Sequence, residues 1–434
     1  MRLQKIVCLM LCVPWGFSGV MVYAESLAAG DIADQYRPEH LTLTEAHKQM
    51  LAYSREILAG RRALEGLQAD KLSAGQKPNP TLSLGTTNIK LDQSNGSGGL
   101  GGKTFDSVMR VDQLIERGNK RELRLAVADQ LIHGGELDLV ELIRRQEVAL
   151  DAAYYDLLLA QEKERINRDN QELYSKSLEA AELRLKVGDI ATADLARIRV
   201  DVLRAQNDLR QSRGEREKAQ SVLAYLLGRD ADARRLHADS AWPAVEAKPI
   251  IAADDALLLR RPDVRAAQAR VQQADEARKL AQSLVTRDVT VGVQYEHYPT
   301  DSRNTVGFGV SMPLFTNYQY EGEIGRAEVN YTAALDDLER IKAQALGEID
   351  RARADLDAAV ERAQRFDASM LQEAQKAADA AEFAYQHGAL GVLDLLDARR
   401  TLRALQLEAA TTHADYAKAE ATWRAAINPE VQIP

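Results

Sequence analysis

The chain has 434 residues, 45% of them hydrophobic, 28% charged and only 5% aromatic, with a formal charge of −9. That balance argues against a nucleic-acid partner, whose phosphates demand a basic surface. Both cysteines, Cys8 and Cys12, lie within the first 24 residues, so neither a disulfide nor a thiolate metal site organises the remainder.

Residues 1–24 have the form of a signal peptide: Arg2 and Lys5 precede an apolar run from Ile6 to Val22, and Val22-Tyr23-Ala24 is a small-residue cleavage pattern. Export from the cytoplasm is therefore expected, and loss of Arg2 and Lys5 takes the formal charge from −9 to −11. Leu11 stands where a lipid anchor on Cys12 would need a small residue. No later stretch reaches the roughly 18 apolar residues of a spanning helix, so any membrane insertion must use strands closed into a barrel.

A first structural repeat covers 25–227. It opens with a helix over 44–75, announced by a capping box of Thr42 and Glu45. A β-hairpin follows over 80–113. Leu82 and Leu84 start one strand, and Phe105, Met109 and Val111 alternate with Asp106, Arg110 and Asp112 in its partner, although the phase slips near Asn88 and Ile89. No proline occurs from Thr81 to Trp242, and Leu150, Tyr154 and Leu157 keep helical spacing, which predicts long helices over 119–186 and 190–227. Gly134-Gly135 should cost about 1 kcal/mol per glycine relative to alanine and predicts a kink or local break in the first of these. Residues 228–253, with Pro243 and Pro249, are expected to be a linker.

A second repeat, 254–427, keeps the same order and ends in a tail over 428–434. Pro262 fits the first turn of a helix predicted over 254–284. In the hairpin over 288–313, Val289, Val291, Val293 and Tyr295 alternate with Thr290, Gly292, Gln294 and Glu296, and Val306, Phe308, Val310 and Met312 with Gly307, Gly309 and Ser311. Long helices over 320–387 and 390–427 complete it, with alanine runs such as 374–384 that allow close helix approach. The halves align without gaps from 181–201 onto 381–401, with Glu182/Glu382, Gly188/Gly388, Asp194/Asp394 and Arg199/Arg399 identical, which indicates duplication.

The fold class is thus mainly α with a small β part. A helix over 119–186 would reach about 100 Å, and the two shorter helices of each half would together match its length. Four strands per chain fall short of the roughly eight in the smallest bacterial barrels, so a barrel requires several chains.

No chemistry-bearing motif survives inspection. The string GSGGLGGKT at 96–104 approaches two phosphate-loop patterns, but a strand follows where the phosphate would need a helix N-terminus, so it reads as a hairpin tip. The seven histidines, 40, 47, 133, 237, 297, 387 and 413, show no metal-ligand spacing, and no nucleophile pattern is present. Enzymatic activity, a cofactor and a metal site are not expected. Gly188 and Gly388 sit where a helix must reverse and mark two hairpin tips, although an ordinary helix C-cap has the same geometry. Asp394 and Asp397 share a helix face; in a three-fold assembly they would form carboxylate rings, a closable and cation-tolerant constriction, while on sequence alone the favoured reading is a solvated charged face.

With these residues in place, the chain resembles the TolC-like outer-membrane factors over essentially its whole mature length. The resemblance is carried by LLLRRPDVRAAQARVQQAD at 257–275, NPTLSL at 79–84, SMPLF at 311–315, and glycine tips six residues before Asp194 and Asp394. VDQLIERGNKRELRLAVA at 111–128 is similar to the branch serving heavy-metal efflux pumps of the cobalt, zinc and cadmium type, although RRPDVRAA is also common in multidrug members. The resemblance implies a homotrimer with a 12-stranded outer-membrane β-barrel and a periplasmic α-helical barrel, exporting substrate for an inner-membrane RND pump through a periplasmic membrane-fusion adaptor. It further implies that Val187, Gly188, Asp189, Ile190, Gly388, Ala389 and Leu390 are adaptor-docking tips, that Asp394 and Asp397 form the constriction, and that Tyr385 bonds to Asp194 to hold the tip closed. Leu390 stands where multidrug members place a latch arginine. Multidrug efflux or type I secretion are the alternatives within this class, and a periplasmic coiled-coil scaffold or adaptor the alternative outside it.

Overall fold

The computed structural model describes residues 39–89, 104–239, 242–245, 255–299, 303–366 and 370–427. The signal peptide, residues 96–103 of the glycine-rich string, parts of the linker and the C-terminal tail lie outside them.

Strand β1 (Glu39–Leu41) leads into helix α1 (Leu43–Tyr53). The capping box forms as expected: the Glu45 N–H donates to Thr42 Oγ1 at 3.2 Å and the Thr42 N–H to Glu45 Oε2 at 3.0 Å. The single helix predicted over 44–75 is two, because Ser54, fully buried and extended at ψ 128°, separates α1 from α2 (Arg55–Ala74).

Strands β2 (Thr81–Thr87) and β3 (Asp106–Ile115) then precede α3 (Lys120–Lys186), 67 residues without interruption. The break expected at Gly134-Gly135 is absent, and the reason is packing. A Cβ on Gly135 would lie 2.6 Å from Leu67 Cδ1 of α2, and one on Gly134 would lie 3.7 Å from the Ala269 Cβ. Gly135 leaves room for Leu67, whereas a Cβ at Gly134 would make an ordinary contact with Ala269, and the packing around the pair offsets their low helix propensity.

Helix α4 (Thr192–Leu227) runs back along α3. The segment after it is more ordered than a linker: a 3-10 helix over Asp230–Arg235 leads to β4 (Leu236–Ala238), which pairs in parallel with β1. Buried Leu41 and Leu236 lie in the same core as Leu150, Tyr154, Leu157, Leu223 and Leu227, so this small sheet straps the helices at mid-height.

In the second half, α5 (Asp255–Arg260) and α6 (Pro262–Ser283) replace one predicted helix. Pro262 disfavours helical backbone in the residue before it, and Arg261 is accordingly extended at ψ 136°. Strands β5 (Val289–Tyr298) and β6 (Arg303–Ser311) precede α7 (Glu321–Arg365), α8 (Leu371–Gln386) and α9 (Val392–Ile427). Along the helix predicted over 320–387, α7 and α8 are flanked by π-helical backbone at Phe366 and Met370, and residues 367–369 lie outside the described residues. A π turn inserts a residue into the helical ladder and needs no proline or glycine, so composition does not announce it.

Long α3 packs against α2, α4, α6 and α9, while α7 packs against α6 and α9. The four longer strands form one antiparallel sheet in the order β2-β3-β5-β6. Asn88, left-handed at φ 57°, follows the end of β2 and accounts for the phase slip there. Leu82, Leu84, Met109, Val111, Val293, Val306, Phe308 and Val310 leave an apolar sheet face uncovered, up to 82% exposed at Phe308.

Candidate functional site

The two tips are built the same way. At the end of α3, the Gly188 N–H donates to Leu185 O at 3.0 Å and the Asp189 N–H to Arg184 O at 2.9 Å. At the end of α8, the Gly388 N–H donates to Tyr385 O at 3.1 Å and the Ala389 N–H to Ala384 O at 2.8 Å. Both are Schellman turns, with the glycines left-handed at φ 79° and 74°. Open space surrounds the position of an added Cβ at each glycine. Val187 is 80% exposed, Asp189 pairs with Arg184 at 3.0 Å, and Ile190 packs on the cluster of Tyr174, Leu195 and Ile198 just above the tip. Ala389 is exposed and Leu390 half-buried.

Behind each tip, the repeated residues pair with one another. Arg199 bonds to Glu182 at 3.0 Å, and Arg399 bonds to Glu382 in the same geometry and to Ser177 at 2.6 Å. Arg399 thereby joins the two hairpins. Further along α9, Arg400 grips buried Asp201 through contacts of 2.8 and 2.7 Å, and Arg403 reaches Asp208 at 2.6 Å and Asn167 at 3.0 Å. This arginine ladder escaped notice in the sequence, where the matched Glu182/Glu382 and Arg199/Arg399 were the available signal.

Asp394 and Asp397 sit exposed on the face of α9 opposite buried Leu395 and Leu396, with no ion-pair partner among the described residues. Asp194 is half-buried and paired with Arg197 at 3.4 Å. The expected bond between Tyr385 and Asp194 is not made among the described residues. Instead the Arg184 guanidinium lies over the Tyr385 ring, 4.9 Å from its centroid, and Arg197 one turn along α4 takes the Asp194 carboxylate.

The RRPDV string has a structural explanation. Arg261, 0% exposed, bonds to Asp263 at 3.1 and 2.9 Å, to Glu348 at 2.8 Å and to Ala426 O at 3.4 Å, while Arg144 reaches the same Glu348 at 3.1 Å and Glu141 at 2.8 Å. One buried ionic knot thus ties the start of α6 to α3, α7 and the end of α9. Burial alone would raise the Asp263 and Glu348 carboxyls, but Arg261 beside the first and Arg144 with Arg261 beside the second hold both below the usual carboxylate range.

Two histidine contacts were not visible in the sequence. His40 and His237 meet across the β1–β4 pair with ring centroids 4.8 Å apart, and His40 Nδ1 lies 3.2 Å from Asp239 Oδ1. His47 Nε2 lies 2.6 Å from Asp151 Oδ1; burial opposes the charge on His47, but Asp151 and Glu147 raise its pKa above the ordinary value. Among the described residues no cluster of three or more such groups is arranged to hold a metal ion.

Residues 255–429 match the family model described as Outer membrane efflux protein. Over 362 residues the chain is 22% identical to the cobalt-zinc-cadmium resistance protein CzcC of Cupriavidus metallidurans, covering 83% of this chain and 84% of that protein. The fold is similar to the outer membrane protein VceC of Vibrio cholerae, with TM-score 0.71 and 19% identity over 89% of this chain and 95% of that one. It is also similar to the CmeC outer membrane channel of Campylobacter jejuni, with TM-score 0.75 and 16% identity over 89% of this chain and 85% of that one. The second half of the chain thus matches the Outer membrane efflux protein family model, and nearly nine-tenths of its length has the fold of these outer-membrane channel structures.

Proposed function

We propose that three copies of this chain close a 12-stranded barrel in the outer membrane above a periplasmic helical tunnel, and that this duct is the exit of a tripartite RND-type efflux system exporting heavy-metal cations. The observation that carries the reading is the sheet. Its free edges, β2 and β6, run in opposite directions, so β6 of one copy can continue antiparallel onto β2 of the next. The uncovered face is apolar, as lipid requires, and a closed ring leaves no strand edge unsatisfied. Metal cargo is supported by the relationship to CzcC. The pump and adaptor would engage from below, where the exposed tips at Val187–Ile190 and Gly388–Leu390 offer the contact surface, and Asp394 with Asp397 would ring the constriction.

Oligomeric state decides this first. The mature protein, extracted from membranes in mild detergent and measured by light scattering with the detergent subtracted, is expected to have three times the chain mass. A monomer or dimer in the soluble fraction would remove the channel reading in favour of a periplasmic scaffold.

A further inference from the structure

The sheet has a second face that efflux through the tunnel tip does not explain. Since the apolar face must meet lipid, the opposite side chains of the same strands line the bore. There the register aligns Arg110 with Gln294 and Gly307, and Asp112 with Gly292 and Gly309. The Arg110 guanidinium lies along the wall: its Nε is 2.9 and 2.8 Å from the two Asp112 oxygens, and its Nη1 is 3.4 Å from Gln294 Oε1. The glycines make this possible. A Cβ on Gly292 would fall 2.1 Å from Asp112 Oδ1, and one on Gly309 would fall 3.4 Å from Arg110 Nη2. Glu296, on the same face, receives hydrogen bonds only from neutral donors among the described residues: Gln294 Nε2 at 3.1 Å, Tyr298 and Thr305.

We propose that the exit barrel carries its own charge filter, in which Arg110 is masked by Asp112 on a glycine shelf and Glu296 is left to favour cations. Arg110 is the one cation on these two aligned rows, Arg303 standing on the same face one row beyond Glu296, and its Nε–H is shared by both Asp112 oxygens, which offsets its charge toward a passing ion. Three copies then present a ring of three Glu296 carboxylates, and Arg110 would repel cations only if released. The filter rests on the barrel reading above and deepens it, since it assigns the bore a preference for cationic cargo independent of the tip aspartates.

The test uses channels of the full mature chain in planar bilayers, in an Asp394→Ala, Asp397→Ala background so that the tip does not dominate, with reversal potential measured across a KCl gradient. Arg110→Gln exposes Asp112 and is expected to raise the permeability ratio of potassium over chloride several-fold, since each of the three copies changes one unit charge worth about twofold through about 10 Å of water before salt screening. Asp112→Asn exposes Arg110 and lowers the ratio by a similar factor, Glu296→Gln also lowers it, and Arg110→Lys restores the parent value. Shifts of the same sign for Arg110→Gln and Asp112→Asn, or none, in trimers of normal mass overturn the masking; an unchanged ratio in Glu296→Gln overturns its role as the filter. A parent chain that is no trimer and forms no channel fails at the mass measurement, which overturns the barrel itself.

Discussion

At Asp394 and Asp397 the carboxylates project from a helix whose other face is closed by Leu395 and Leu396, so their charge is available to solvent and to neighbouring copies. If they ring the constriction, Asp394→Ala with Asp397→Ala raises single-channel conductance and weakens block by divalent cations in planar bilayers; identical current and block would remove that role. Arg261 makes the opposite case, a charge wholly inside the protein. Arg261→Ala strands Asp263 without its partner and leaves Glu348 with Arg144 alone, and is expected to cost about 3–5 kcal/mol, read as a lower denaturant midpoint in detergent. The same knot sets an acid limit. Because both carboxyls titrate lower in the folded chain than their unfolded values of about 3.9 and 4.3, their stabilisation is complete above those values and is lost as pH falls through the folded pKa values. Thermal melts between pH 6 and pH 3 should therefore fall more steeply for the parent than for Arg261→Ala, and parallel slopes would show that the knot is not the acid-labile element.

At the scale of elements, the tips are the parts whose geometry is set by one residue type. Gly188 and Gly388 are left-handed with open space around them, so a bulky residue strains the turn by about 1–2 kcal/mol without striking a neighbour. Gly188→Val with Gly388→Val should leave the trimer mass intact and abolish efflux in a complementation assay; normal efflux would argue that adaptor contact lies elsewhere. The tips and strands were legible because each depends on local pattern: strict alternation in 289–296, and the glycine repeated at the same place in both halves. The split at Ser54 and the π-helical backbone at Phe366 and Met370 were not legible. A serine within a helical run carries no breaking propensity, and a π turn is made from ordinary helix formers. Gly134-Gly135 misled in the other direction, because glycine's cost is local whereas what offsets it, packing such as Leu67 against Gly135, comes from other helices.

For the whole molecule, length and periodicity alone required tall helices, a duplicated plan and too few strands for one chain to close a barrel. Those features follow from spacing along the chain, which the sequence contains in full. The pairings that bind the halves together, the arginine ladder of α9 onto α3 and α4 and the Arg261 knot, came only with tertiary structure, as did the strap of β1 on β4 and the glycine shelf beneath Arg110 and Asp112. Glu382 and Arg399 were visible as repeated residues, but that they touch depends on α9 folding back on α8. Tyr385 and Asp194 show the same limit, since Arg184 and Arg197, each within about two turns in sequence or space, take the places expected for a direct bond. Sequence determined which segments are helix, strand and turn, because those choices are short-range; which charges meet across helices was decided by packing, because partners such as Arg400 and Asp201 or Arg144 and Glu348 lie about two hundred residues apart and are chosen by how the helices lie against one another.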